Sequence, residues 1–113
     1  MTKERRLPDD PVLFIKDCLR RRRVFWTYHV NMRLYGRFIP RDSIFKAVDT
    51  IEIVETYPDD KYLPSYLILG RLDADVFHVV VAADVIDDNI RIVTAYRPDG
   101  GEWLDDMKTR RKY

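Results

Sequence analysis

The sequence predicts an α+β domain, with two or three N-terminal helices packed on a four-stranded antiparallel sheet. Three observations point there. Apolar residues recur at helical spacing up to Val48, and from Ile51 onward they alternate or run in short blocks. The later blocks are joined by turns too short for parallel neighbours, which need long crossovers. At 113 residues the chain reads as one domain, with a flexible polar start over 1–9 and a basic C-terminal tail over 103–113.

Each element has a local reason. Asp10-Pro11 reads as the N-cap and first position of a helix, since the N–H that proline lacks is unbonded there anyway. Val12, Ile15 and Leu19 follow at helical spacing, with Leu13 and Phe14 widening the stripe, and Arg20-Arg21-Arg22-Arg23 closes the helix where cations complement its dipole. Val24-Phe25-Trp26-Thr27 is β-branched and aromatic, so it forms a short strand or an extended connector. A second helix starts at Tyr28, with Val30 and Leu34 one turn apart and Gly36 as its stop. After Ile39-Pro40, Asp42 or Ser43 caps a third helix carrying Ile44, Ala47 and Val48.

Four strands follow, over 51–57, 65–71, 76–84 and 90–97, separated by Pro58-Asp59-Asp60, a hairpin turn at Leu72-Asp73-Ala74-Asp75 and the turn Asp87-Asp88-Asn89. In the first of them Ile51, Ile53, Glu55 and Tyr57 share one side by strict alternation. In the third, Phe77, Val79, Val81 and Ala83 face the helices, which leaves His78, Val80 and Ala82 on a half-covered face. Pro98-Asp99-Gly100-Gly101 closes the sheet, and Trp103, Leu104 and Met107 predict one last helical turn before Arg110-Arg111-Lys112-Tyr113.

Composition removes many function classes. One cysteine, Cys18, excludes a disulfide within the chain and a thiolate zinc cluster, and two histidines leave little for a histidine-rich metal site. Four glycines without GxGxxG or GxxxxGK exclude a glycine-rich phosphate cradle. Asp73-Ala74-Asp75 has alternate spacing but no third ligand nearby, so neither a metal nor a cofactor is expected. No apolar run approaches the roughly 18 residues of a membrane span, and no apolar segment of signal-peptide length follows the charged N-terminus. The expectation is a cytoplasmic chain without membrane contact.

The net charge of +1 conceals an asymmetry: residues 1–46 hold 12 Lys/Arg against 5 Asp/Glu, a balance of +7, and the remainder balances at −6. Arg20 to Arg23, Arg33, Arg37 and Arg41 are therefore expected to form one surface toward a polyanion or an acidic partner. A solvated helix face balanced by acidic turns, or burial of these arginines in pairs with acids of the sheet half, is the alternative explanation of the same numbers.

Within that half, His29, Arg33 and Arg37 recur in steps of four: the first two share one helix face, and Arg37 joins them if the helix continues through Gly36. Imidazole titrates near neutral pH and guanidinium binds phosphate two-pronged, so a base beside two cations suits phosphodiester cleavage or anion binding. A solvated arginine-rich face would show the same spacing. His78 lies in an apolar strand, where a hydrogen-bonded structural histidine is the plainer reading. Tyr96 offers a hydroxyl donor at the end of the last strand, and Trp26, Tyr28 and Tyr35 lie near arginines in a pattern that stacks on bases or fills a core.

The order of these residues resembles a family of small bacterial domains of unknown function, itself similar to RelE/BrnT-like ribonuclease toxins. The resemblance is carried by His29…Arg33…Arg37-Phe38-Ile39-Pro40, Glu52-Ile53-Val54-Glu55-Thr56-Tyr57, Tyr66-Leu67-Ile68-Leu69-Gly70, His78-Val79-Val80 and Ile92-Val93-Thr94-Ala95-Tyr96-Arg97-Pro98-Asp99, with a family core over 28–99. Trp103 and Arg110-Arg111 resemble the subgroup found beside small zinc-finger proteins of antitoxin type. The resemblance implies a RelE-like toxin fold and an RNA-cleaving toxin neutralised by a partner, a zinc-finger-type antitoxin in this subgroup; the leading reading is a metal-independent ribonuclease that meets RNA or the ribosome. On that reading His29, with His78 or Tyr96, carries the proton transfers, and Arg33, Arg37, Arg41 and Arg97 hold phosphate. The alternative is a non-catalytic protein- or nucleic-acid-interaction module.

Overall fold

The computed structural model describes residues 6–26, 28–37 and 39–111, together with all their side chains except those of Tyr28, His29, Arg33 and Leu34. Much of the start expected to be flexible, together with Thr27, Phe38, Lys112 and Tyr113, lies outside the described residues.

Helix α1 (Pro11–Arg20) begins as the sequence predicts: the Asp10 carboxylate accepts from the Leu13 N–H at 3.1 Å and proline occupies the first helical position. It buries Ile15, Cys18 and Leu19 and leaves Leu13 exposed, so the apolar stripe is narrower than the sequence pattern. Burial raises the Cys18 thiol to about 11, which makes it a packing group rather than a nucleophile. Strand β1 (Val24–Trp26) leads into α2 (Tyr28–Gly36), then α3 (Arg41–Lys46) and a single 3₁₀ turn (Val48–Thr50). Neither Asp42 nor Ser43 caps α3, which starts after Pro40 without a side-chain cap; Asp42 instead pairs with Lys46 one turn on. Strands β2 (Glu52–Tyr57), β3 (Ser65–Leu72), β4 (Asp75–Asp84) and β5 (Asn89–Tyr96) complete the chain's regular structure.

The sheet has five strands in the order β1-β5-β4-β3-β2, and it is mixed. The expected four-stranded antiparallel sheet is corrected by β1, which pairs parallel to β5 with Val24 opposite Ile90 and Trp26 opposite Ile92. A three-residue strand whose partner lies at the other end of the sequence carries no local turn signal. It also means that a strand precedes α2 and α3, so helices and strands are not cleanly segregated along the chain. Among the described residues no helix is long and apolar enough to cross a membrane.

One sheet face carries the main core. Phe77, Val79, Val81 and Ala83 of β4 pack there as predicted, with Tyr66 and Ile68 of β3, Ile90, Ile92 and Ala95 of β5, and Ile15, Val30 and Ile44 from the helices. Gly70 is needed beside Phe77: a Cβ at this position would come within 2.8 Å of the Phe77 ring.

Two β-bulges decide what the opposite face displays. The β2–β3 register slips between Ile53 and Glu55, and the β4–β5 register slips between Val80 and Val81, where Val93 is the extra residue. One residue of slip turns every later side chain to the other face. Under strict alternation Glu55 and Tyr57 share the side of Ile53, and an unbroken β5 would put Tyr96 on the side of Ile92. The bulges instead turn all three away from the helices, onto the face of His78.

Candidate functional site

On that outer face, β4 places His78 opposite Leu69 of β3 and Tyr96 of β5. The ring is completely buried, not half-covered, because residues 99–111 fold back over it. This tail is not the expected helical turn. It is a small hairpin in which Trp103 bridges Arg110, the Leu104 N–H donates to the Thr109 carbonyl and the Arg111 N–H to the Glu102 carbonyl, each at 2.8 Å. Asp106 holds the turn by accepting from the N–H groups of Lys108 and Thr109 and from the Thr109 hydroxyl. These bonds, from the Lys108 N–H first, keep its carboxyl below the usual range.

The hydrogen bonds set the histidine's tautomer. Nε2 lies 2.7 Å from the Met107 carbonyl oxygen, which can only accept, so Nε2 carries the proton. Nδ1 of the neutral ring then accepts from the Tyr96 hydroxyl at 3.3 Å. Trp103 meets the imidazole edge-on at a centroid distance of 4.6 Å, and Tyr96 does so at 5.3 Å. Burial is the main cause that pushes His78 below its ordinary pKa, and burial likewise pushes Tyr96 up.

Around this pair the polar groups are matched. Arg110 lies over Trp103 and donates twice to Glu55, each bond 2.9 Å, and the Tyr57 hydroxyl donates to the same carboxylate. The Arg110 bonds are the largest cause that lowers Glu55 to about 2. Lys108 reaches Glu52 at 3.5 Å. Glu55, Tyr57, Trp103 and Arg110 thus complete a cluster around His78 whose membership depends on the two bulges.

The second group lies where β1 stops. Arg37, just past the end of α2, donates to the Ala95 carbonyl and, at 3.4 Å, to the Thr94 hydroxyl. Arg97 grips Asp75 with two bonds of 2.9 and 3.0 Å and donates to the Arg37 carbonyl at 2.6 Å. Arg37, Tyr96 and Arg97 therefore meet at one edge of the sheet. Arg41 is elsewhere, bonded to the Asn31 side chain and lying 4.6 Å over the Trp26 ring. Trp26 also packs edge-on against Phe45, so it is a packing aromatic rather than an exposed stacking surface.

His29 and Arg33 occupy α2 two turns and one turn before Arg37; their side chains lie outside the described residues. α2 belongs to the helical layer, with Val30 in the main core, whereas His78 is on the other side of the sheet.

The arginine run is anchored internally. Arg20 pairs with Asp49 at 2.7 Å, Arg21 binds Asp88 twice at 2.8 Å and Asp17 at 2.9 Å, and Arg23 donates to the Asp87 and Asp88 carbonyls. Arg22 lies 3.7 Å over the Phe45 ring. Arg20 and Arg21 thus join acids of the second half, whereas Arg22, Arg23, Arg37 and Arg41 meet a ring, carbonyls or an amide, and Arg37 and Arg41 lie apart from the run.

Comparison with curated proteins finds no match, and comparison with solved structures finds none. A family profile does match, over residues 26–97, a span from the end of β1 through Arg97 that contains α2, α3 and all four antiparallel strands. The chain belongs to the family described as a domain of unknown function, DUF4258, as its motif order leads one to expect.

Proposed function

We propose that the chain is a toxin-type RNA endonuclease working without metal, with its reactive edge formed by α2 and the end of β5. The observation that carries this reading is the docking of Arg37, last of the His29–Arg33–Arg37 series, onto Thr94 and Ala95 beside Tyr96. His29 takes the proton of a ribose 2′-hydroxyl, the freed oxygen attacks the adjacent phosphorus, and the bond to the 5′-oxygen breaks, leaving a 2′,3′-cyclic phosphate. Arg33 and Arg37 stabilise the charge of the pentavalent phosphate. Tyr96 turns its proton from His78 to the leaving 5′-oxygen. His78, enclosed by the tail, is a positioning residue for Tyr96, and Arg97 is one for Arg37. A small zinc-finger-type antitoxin is the neutralising partner this reading implies.

The test is incubation of the purified chain with RNA and chelator, with and without ribosomes. Cleavage leaving cyclic phosphate ends, reduced about 100-fold or more by His29→Ala and strongly by Arg33→Ala or Arg37→Ala, is the expected result. A folded chain that cleaves nothing in either condition overturns it. It would favour the second reading, a non-catalytic interaction module, for which the complete enclosure of one of only two histidines already speaks.

A further inference from the structure

The tail covers only part of the outer face. Beyond it, the row Tyr57–Ser65–Ala82–Arg91 continues the sheet, and above this row lies an open cavity of about 500 Å³ whose lining includes Asp60, Lys61, Tyr62, Ala82, Arg91 and Val93. Its size is within the range of small-ligand sites. Its rim is unusual for a solvated surface. Tyr62 is 82% exposed, Val93 46%, and Phe25, the register partner of Arg91 on β1, 60%. Exposed apolar groups gathered around one cavity are a common mark of an interaction surface.

The chemistry of the patch narrows its occupant. Phe25 and Tyr62 offer flat apolar rings, and Arg91 and Lys61 bring two cations beside them against the single acid Asp60 in the lining; Lys61 lies 5.3 Å over one face of the Tyr62 ring. Arg91 gives Asp84 a single long contact of 3.3 Å, far looser than the paired bonds of Arg21 or Arg110. Rings alternating with cations suit a polymer that alternates bases with phosphates, provided the base faces are uncovered, as they are in a single strand and not in a duplex.

We propose that this open half of the outer face is a binding platform for single-stranded RNA, with bases stacking on Tyr62 and Phe25 and phosphates held by Arg91 and Lys61. The proposal rests on the reading of RNA as the substrate and adds where the strand lies and that it is unpaired.

The test measures binding apart from cleavage. A fluorescein-labelled oligodeoxynucleotide, which lacks the 2′-hydroxyl nucleophile, and the same sequence as RNA are titrated with the full chain at several salt concentrations. Annealed duplex serves as the comparison. Tyr62→Ala and Phe25→Ala are each expected to weaken single-strand binding about five- to a hundredfold, Tyr62→Phe to preserve it, and Arg91→Gln to reduce the salt slope by about one. Tyr62 is an exposed loop residue, so Tyr62→Ala remains informative if Phe25→Ala fails to fold. Variants binding within twofold of the parent, equal affinity for duplex, or no binding of the single strand by the parent each overturn the platform, and the last leaves the patch to a protein partner. RNA cleavage with unaltered platform variants would refute the platform and keep the nuclease. Single-strand binding that depends on Tyr62, without cleavage, would do the reverse.

Discussion

The two halves of the outer face are built on the same three central strands and differ in what stands at their middle. In the covered half the rows Glu52–Leu69–His78–Tyr96 and Glu55–Leu67–Val80–Thr94 place large apolar groups at the centre and charged groups at the β2 edge. Leu67 and Leu69 are almost completely buried although they point away from the helices, and Trp103 with them. In the open half the centre of the row is Ser65 and Ala82, and the large rings stand at the rim. A face meant for its own chain carries bulk in the centre and a partner for each polar group. A face with small residues inside and rings outside is concave and leaves room for something else.

The comparison breaks most forcefully at Trp103. Its side chain is 1% exposed, meets His78 and supports Arg110, so Trp103→Ala is expected to destabilise the fold by about 3–5 kcal/mol in denaturant unfolding. The variant should also expose His78, whose pKa then moves back toward its ordinary value in NMR titration. A loss below about 1 kcal/mol with His78 unaltered would show that the tail is not what buries this half.

Acid tests the same half more gently. His78 is held below its ordinary value, chiefly by burial, with Glu55 opposing and Arg110 adding to the shift. A depressed histidine contributes fully above its unfolded value of about 6.5, and stability falls as pH drops below that toward the folded value. For one proton the slope is at most about 1.4 kcal/mol per pH unit. Glu55, lowered to about 2 chiefly by Arg110, contributes above the unfolded carboxylate range and loses its contribution as pH falls through that range toward 2. Two separate declines are expected in unfolding measured against pH. His78→Gln should remove the upper one, and Glu55→Gln should diminish the lower, which the depressed carboxyls of Asp75, Asp88 and Asp106 share; declines unaltered by either variant would contradict the network.

What could be read from the sequence follows the reach of local signals. The Asp10-Pro11 start of α1, the span of α2, the four antiparallel strands and the inward side of β4 all follow from nearest-neighbour chemistry, and the structure contains them. The bulges at Val54 and Val93 leave no such signal, since β-branched residues there look like any strand. Yet they move Glu55, Tyr57 and Tyr96 to the face that matters. The tail departs from its sequence pattern for a related reason: Trp103, Leu104 and Met107 have helical spacing, but Asp106 satisfies the turn's N–H groups and makes a hairpin instead. His78 could be named as a structural or functional candidate; its partner, a backbone carbonyl of Met107, has no sequence signature.

The smallest effect is expected at the arginine run, and it sharpens the contrast with Arg91. Arg20 and Arg21 already hold Asp49, Asp88 and Asp17 through bonds of 2.7 to 2.9 Å, so a phosphate arriving there must displace a carboxylate rather than a loosely condensed ion. Counterion release, and with it salt dependence, comes from charges not yet neutralised. The double variant Arg20→Gln, Arg21→Gln should therefore alter the salt slope of oligonucleotide binding by well under one unit, against about one for Arg91→Gln. Its thermal stability should change little, because exposed ion pairs contribute little to folding. A slope reduced by about two would mean that these pairs open toward RNA. The helical end would then be the main contact, and the open half of the sheet would be secondary.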